Sequence, residues 1–337
     1  TNHTLGLTMW PLARPQPAVI RVDLIRRVSG LDFDPEGRFL VFSDDDTVTV
    51  VPLQQPVPPP GGVAFKAGGL SHCLAVSPDG ERFAVGGDNR GLWVGTNDGR
   101  DPVLVGDPSE LGAIGLVTFD PEGRYLAFLT GFYDRSAAVV RVWNLESDTE
   151  QATHQLPGAQ FRYGVSFSSD RRLLTATTRG VVAWDVESGQ HEILVGEGVA
   201  AFTASRNGRR LLLIEEPEAG MLQDAVGTPV FVDLDSGLST PLTTHGSEVW
   251  AMALDQDGSI AVTGDRNGII RVGRVTGEEP HILVGHKGEI SHIAIDPLGR
   301  WIASAGEDDT VRLWPMPDLS KPPLHTLPRE ELIAKLK

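Results

Sequence analysis

The chain has 337 residues, 45 of them acidic and 29 basic, for a net charge of −16. That balance repels nucleic-acid phosphates and no basic stripe offsets it, so nucleic acid is not an expected partner. Cys73 is the single cysteine, which leaves no internal disulfide or thiolate-cluster metal site, and no apolar run reaches the roughly 18–20 residues of a membrane span.

In chain order, residues 1–22 read as two strands. Leu5–Leu12 parallels Thr310–Met316 near the other end, and Ala18–Val22 follows as a second strand. Beyond them one turn recurs seven times: Asp34-Pro35-Glu36-Gly37, Ser77-Pro78-Asp79-Gly80, Asp120-Pro121-Glu122-Gly123, Ser168-Ser169-Asp170-Arg171, Ser205-Arg206-Asn207-Gly208, Asp255-Gln256-Asp257-Gly258 and Asp296-Pro297-Leu298-Gly299. The steps are 43, 43, 48, 37, 50 and 41 residues. Pro presets φ, Asp or Asn bonds its own backbone, and Gly takes φ > 0. Flanking stretches such as Gly30–Phe33 and Arg38–Phe42 alternate in polarity and are rich in aromatic and β-branched residues, which predicts strands. A second polar knot follows, as in Asp44-Asp45-Asp46 and Glu307-Asp308-Asp309, then a third strand and a looser fourth such as His281–Val284.

Four short antiparallel strands cannot bury both faces alone, and stacking such units around an axis solves that. The expected fold is all-β: a seven-bladed β-propeller of four-stranded antiparallel blades over residues 23–327, in preference to a pair of β-sandwiches. A short C-terminal helix begins in residues 328–337, where Pro328, Glu330 and Glu331 suit a helix start and Leu332, Ile333 and Leu336 share a face. Residues 1–22 are then partial blade strands, the end of an upstream repeat or a ring-closing strand. Pro52–Gly62 reads as a stiff polyproline connector. The longer steps mark insertions, at Phe132–Arg135 in blade 3 and Glu215–Thr228 in blade 5.

The last unit carries Gly285-His286, Ser304, Asp308 and Trp314, and it resembles the WD-repeat signature. The resemblance implies that His286, Ser304, Asp308 and Trp314 form a hydrogen-bonded chain that locks the blade, a structural role that satisfies buried polar groups. Other units are eroded. The sixth keeps His245 and Thr263 but has Asn267 and Gly273 where Asp and Trp would stand. The fourth keeps Trp184-Asp185 with Thr178 at the Asp position, and the first has Val51 in place of Trp. The two ends of the chain resemble the C-terminal WD-repeat region of large bacterial signalling proteins, commonly of the serine/threonine kinase type. That resemblance implies partners that include other domains of the same parent chain, and with no visible signal peptide a cytoplasmic location is the expectation.

No Gly-x-Ser-x-Gly elbow, His-x-His or His-Glu-x-x-His spacing occurs, so no enzyme activity, cofactor or metal site is expected. Cys73 reads as a buried structural thiol. His72 and His292 read as matching positions at the start of first strands, and the acidic knots as turn and network residues rather than calcium ligands. Function is expected on the face built by the loops before first strands and those between second and third strands. Tyr133, Arg135, Arg162, Tyr163, Arg179 and Trp250 are the candidate partner-binding residues there, with His72, Arg90 and Arg266 on the same face. Arg and aromatic side chains anchor interfaces, and such a patch on an acidic chain suits a protein or peptide, acidic or phosphorylated. Two other readings stay open: an autoinhibitory sensor domain of a multidomain nucleotide-binding defence-type receptor, and a propeller enzyme using channel carboxylates with His72 or His292.

Overall fold

A computed structural model of the chain describes residues 18–21, 28–53, 63–66, 70–88, 91–97, 100, 102–131, 138–155, 160–215, 227–242 and 247–331. The expected strand Leu5–Leu12, residues 54–62 of the proline-rich connector, insertion residues 132–137 and 216–226, and residues 332–337 of the expected helix lie outside them. Residues 329–331 are helical.

Strand β1 (Ala18–Arg21) precedes seven repeating units. Blade 1 is β2 (Val28–Phe33), β3 (Phe39–Asp44), β4 (Thr47–Pro52) and β5 (Val63–Lys66). Blade 2 is β6 (Ser71–Val76), β7 (Arg82–Gly87), β8 (Leu92–Thr96) and β9 (Val103–Val105). Blade 3 is β10 (Ile114–Phe119), β11 (Tyr125–Thr130), β12 (Val139–Asn144) and β13 (Thr149–His154). Blade 4 is β14 (Phe161–Phe167), β15 (Arg172–Thr177), β16 (Gly180–Asp185) and β17 (His191–Val195). Blade 5 is β18 (Val199–Ala204), β19 (Arg210–Glu215), β20 (Pro229–Asp233) and β21 (Leu238–Pro241). Blade 6 is β22 (Val249–Leu254), β23 (Ile260–Asp265), β24 (Ile269–Arg274) and β25 (His281–Val284). Blade 7 has only β26 (Ile290–Ile295), β27 (Trp301–Gly306) and β28 (Thr310–Pro315) from its own stretch. Its fourth strand is β1, antiparallel to β28 with Ala18 opposite Leu313 and Arg21 opposite Thr310.

Each first strand neighbours the first strand of the next blade, and β26 neighbours β2, so the seven blades form a closed propeller. Burial follows from this stacking. Second strands lie between blades on both faces and are buried almost throughout, as in β11 and β15, whereas the outer β13 and β17 are largely exposed. The apolar clusters straddle blade boundaries: Leu31, Phe33 and Leu40 of blade 1 pack with Ala294, Ala303 and Leu313 of blade 7. Cys73 is buried within the cluster between blades 2 and 3, which pushes its thiol up to about 12.

The recurring turn is stabilised by its first residue. Asp120 Oδ1 accepts from the Arg124 and Tyr125 amides, both at 2.7 Å, and Asp255 Oδ1 does the same for Ser259 and Ile260 at 2.7 and 2.8 Å. A serine in that place bonds twice: Ser205 Oγ accepts from the Arg210 amide at 3.1 Å and donates to Asn207 Oδ1 at 2.8 Å. Turns that open on Ser therefore carry Asp or Asn two residues later, in all three cases. Arginines just after the turn stitch blades together. Arg300 donates to the Gly37 carbonyl at 2.6 Å, Arg82 to that of Gly123 at 2.7 Å, and Arg210 to that of Asp257 at 2.8 Å. Gly37 has φ +63, and a Cβ there would overlap both the Arg300 guanidinium and the Asp296 carboxylate.

Blade 4 departs from this pattern: Arg171 takes the glycine place with φ +62. A side chain in that left-handed conformation costs roughly 1 kcal/mol. Arg171→Gly is expected to raise stability by about 0.5–1 kcal/mol, read as a higher thermal midpoint; an unchanged or lower midpoint would show that the turn is not strained.

Candidate functional site

In blade 7 the four signature side chains meet. Trp314 Nε1 donates to Ser304 Oγ at 2.8 Å, Ser304 Oγ lies 2.7 Å from His286 Nε2, and His286 Nδ1 lies 2.8 Å from Asp308 Oδ1. Burial lowers the His286 pKa against the pull of Asp308, which favours the neutral imidazole. The chain of donors then has one direction: indole to hydroxyl, hydroxyl to Nε2, and Nδ1–H to carboxylate. Asp308 also accepts from Thr310 Oγ1 at 2.6 Å, the Lys287 amide at 3.0 Å and Arg312 at 3.2 Å. Burial pushes its carboxyl up, but the bonds from Thr310, His286 and the Lys287 amide outweigh that and leave it at about 2.

The eroded blades solve the same problem differently. In blade 4, Trp184 Nε1 donates to Thr175 Oγ1 at 2.8 Å. The histidine comes from the preceding blade: His154, at the end of β13, stacks on Trp184 with centroids 5.2 Å apart, and His191 packs against it at 5.0 Å. In blade 6 the buried carboxylate is that of Asp265, two residues before Asn267. It accepts from Ser247 Oγ at 2.6 Å and from the Asn267 and Ile269 amides, both at 2.9 Å. His245 lies outside the described residues. Asp44 holds the same register in blade 1, since both aspartates pair with the first residue of their blade's first strand. Yet Asp44 is 1% exposed and neither of its oxygens has a hydrogen-bond partner. Burial, then Asp45 and Asp46, push its carboxyl up to about 6. Among the described residues no group of three or more His, Cys, Asp or Glu is placed to hold a metal ion.

Every first strand begins with a bulge that takes residues out of the ladder, at the rim that also carries the hairpins between second and third strands, the hairpin-face rim. The bulged residue is Ser29, His72, Gly115, Ala200, Trp250 or Ser291 in six blades. Blade 4 has a wider bulge, Arg162 to Gly164, between Phe161 and Val165. The register corrects the pairing of His72 with His292. His72 matches Ser291, while His292 stands one residue on and matches Cys73, so the two histidines point differently. His72 Nε2 lies 2.7 Å from Asp88 Oδ1.

Of the candidate partner residues, Tyr163 and Trp250 occupy bulges and are 45% and 49% exposed. Ala200, the bulged residue of the intervening blade, leaves space between them. Arg179 is exposed at the tip of the β15–β16 hairpin on the same blade as Tyr163, and no carboxylate pairs with it among the described residues. Arg266 lies 3.8 Å from Glu248. Arg162 belongs to β14, but its side chain, like Tyr133, Arg135 and Arg90, lies outside what is described.

At the other end of the channel, the ends of the first strands and their turns enclose a cavity of about 350 Å³. Its apolar lining includes Phe33, Phe119, Phe167, Leu254 and Ile295; Asp32 and the turn carboxylates Asp120, Asp255 and Asp296 also line it, with Arg206 and four turn prolines around the mouth. Burial pushes the Asp32 carboxyl up to about 6, against the bonds it accepts from the Val76 and Phe33 amides. Sequence reasoning placed no site here; the signal was Asp32, a charged residue where the other first strands carry alanine, serine or threonine.

The architecture defines a β-propeller, and residues 237–272 and 277–315 of it match the WD domain, G-beta repeat family. The first match starts at the outer strand of blade 5 and runs into the third strand of blade 6, so a sequence repeat straddles two blades. Among curated proteins the chain is similar to ribosome biogenesis protein erb1 of Aspergillus clavatus and of Aspergillus fumigatus, each 53% identical over 33 residues, and of Coccidioides immitis, 57% identical over 30 residues. These stretches are 10%, 10% and 9% of this chain and 4% of each relative, about one repeat.

Removing either member of the His286–Asp308 pair in the blade-7 lock leaves buried groups unpaired, so His286→Ala and Asp308→Ala are each expected to lower stability by about 1–3 kcal/mol in denaturant unfolding. Asp44 gives a pH signature. Its pKa is raised on folding, so its contribution is most favourable below about pH 4 and is lost as pH rises through about 6. Asp44→Asn should therefore stabilise by on the order of 1–2 kcal/mol at pH 7, with the gain vanishing near pH 4. Equal gains at both pH values would rule out an ionised, unpaired carboxylate.

Proposed function

We propose that the chain is a non-enzymatic WD-repeat interaction module that binds a protein or peptide on the hairpin-face rim of the propeller. The exposure of Tyr163 and Trp250 at bulge positions around one channel mouth carries this reading. Large amphipathic rings bury much area at little entropic cost, and a rigid ring holds them in fixed relation. The guanidinium of Arg179, exposed on the same blade as Tyr163 and with no carboxylate partner among the described residues, favours an acidic or phosphorylated segment. The resemblance of the chain's two ends supports placing the module in a larger, cytoplasmic bacterial signalling protein of the serine/threonine kinase type. The relatives' names refer to ribosome biogenesis, but a shared stretch of one repeat supports the repeat rather than that process.

Affinity capture with the wild-type chain and a Tyr163→Ala/Trp250→Ala variant tests the rim, with Leu238→Ala on an outer strand as control. Partners held by wild type and control are expected to fall by roughly tenfold or more with the double variant, whose thermal midpoint stays unchanged. Equal capture by all three chains would place the interface elsewhere.

A further inference from the structure

The turn-face cavity holds two residues that break the repeat. At the place of Asp32, two residues before the turn, the other first strands carry alanine, serine or threonine; at the place of Arg206 the other turns carry proline, serine or glutamine. Repetition explains neither residue.

Both side chains are under-used within the fold. Asp32 Oδ1 accepts from the Phe33 amide at 2.8 Å, and Oδ2 receives only a long 3.4 Å bond from the Val76 amide of the next blade. No cationic side chain pairs with Asp32 among the described residues. Around the same face Arg38, Arg82, Arg124, Arg172, Arg210 and Arg300 each pair with a carboxylate. Arg206 does not: its amide donates to the Gln256 carbonyl at 3.0 Å, and its guanidinium is exposed at the mouth with no carboxylate partner among the described residues.

Asp32 and Arg206 stand on blades 1 and 5, across the ring from one another, with an apolar wall between them that includes Phe33, Phe119 and Phe167. Along the strands Asp32 lies three residues deeper than the place of Arg206, a depth difference of about 10 Å at roughly 3.3 Å per residue that adds to the width of the ring between them. The cavity, about 350 Å³, is of the size that takes small organic ligands. We propose that it binds a short zwitterionic peptide of two or three residues, its ammonium on Asp32, its carboxylate on Arg206 and its side chains against the phenylalanines. Each charge of such a ligand meets an opposite charge that the fold leaves open, and the apolar wall supplies the rest of the contact.

The test is calorimetric titration of this chain with trialanine, N-acetyl-trialanine and trialanine amide. Trialanine is expected to bind saturably at one site. Capping either terminus should weaken binding by roughly tenfold or more. In Asp32→Asn acetylation should cost nothing further, and in Arg206→Ala amidation should cost nothing further. The wild-type comparison needs no variant, so it stands even if one fails to fold. Tyr163→Ala/Trp250→Ala should bind trialanine as wild type does, which separates this site from the opposite rim. No saturable binding up to about 20 mM trialanine, or capped peptides binding as well as the free one, overturns the proposal.

Discussion

The whole molecule depends on one constraint: a blade is apolar on both faces and has no way to bury them except against its neighbours. A row of such blades would leave two greasy ends, so the row must become a ring. The closing contact is between blades 7 and 1. It combines the shared cluster of Leu31, Phe33, Ala294 and Leu313 with the Arg300 bond to Gly37 and the pairing of β1 with β28. With the ring shut, loops from distant parts of the sequence stand at fixed positions around a common axis, and both rims acquire their geometry from that.

Because burial between blades supplies most of the driving force, the polar lock inside a blade is free to vary. Blade 7 keeps the full chain from Trp314 to Asp308, and blade 4 keeps the indole–hydroxyl bond but takes its histidine from the blade before. Blade 6 moves the carboxylate two residues back, and blade 1 leaves Asp44 without any bond. The polar groups refine individual blades and the apolar seams hold the ring. Among the described residues, the buried carboxylate left without a partner lies in blade 1, next to the closure.

Local chemistry was legible in the sequence. The seven turns were visible because Pro, Asp and Gly act within four residues, and the alternation around them fixed the strand type. The blade-7 lock was visible because its four residues fall within one repeat. What the sequence hid was set by register or by distance. Arg300 and Gly37 are 263 residues apart, so their bond follows only from ring closure. His154 ends the outer strand of blade 3 yet stacks on Trp184 of blade 4, a contact across a blade boundary. The bulges displace first-strand residues by one place, which is why His72 and His292 look equivalent when aligned on their serines and are not equivalent in the ladder. On the candidate rim, exposure distinguishes Tyr163 and Trp250 from buried aromatics such as Phe202, and residue type alone does not.

The pairing of β1 with β28 also sets how the ring responds to tension. The two strands are antiparallel, and Ala18, the first residue of β1, lies opposite Leu313 near the end of β28. Force pulling these two ends apart acts on the last pair of hydrogen bonds first, then on the next, and never on all of them together. The latch therefore peels like a zipper instead of resisting in shear. Load carried along the chain through residues 18 and 315 would release blade 7 before it strained any other blade, because the other blades are each closed by strands contiguous in sequence.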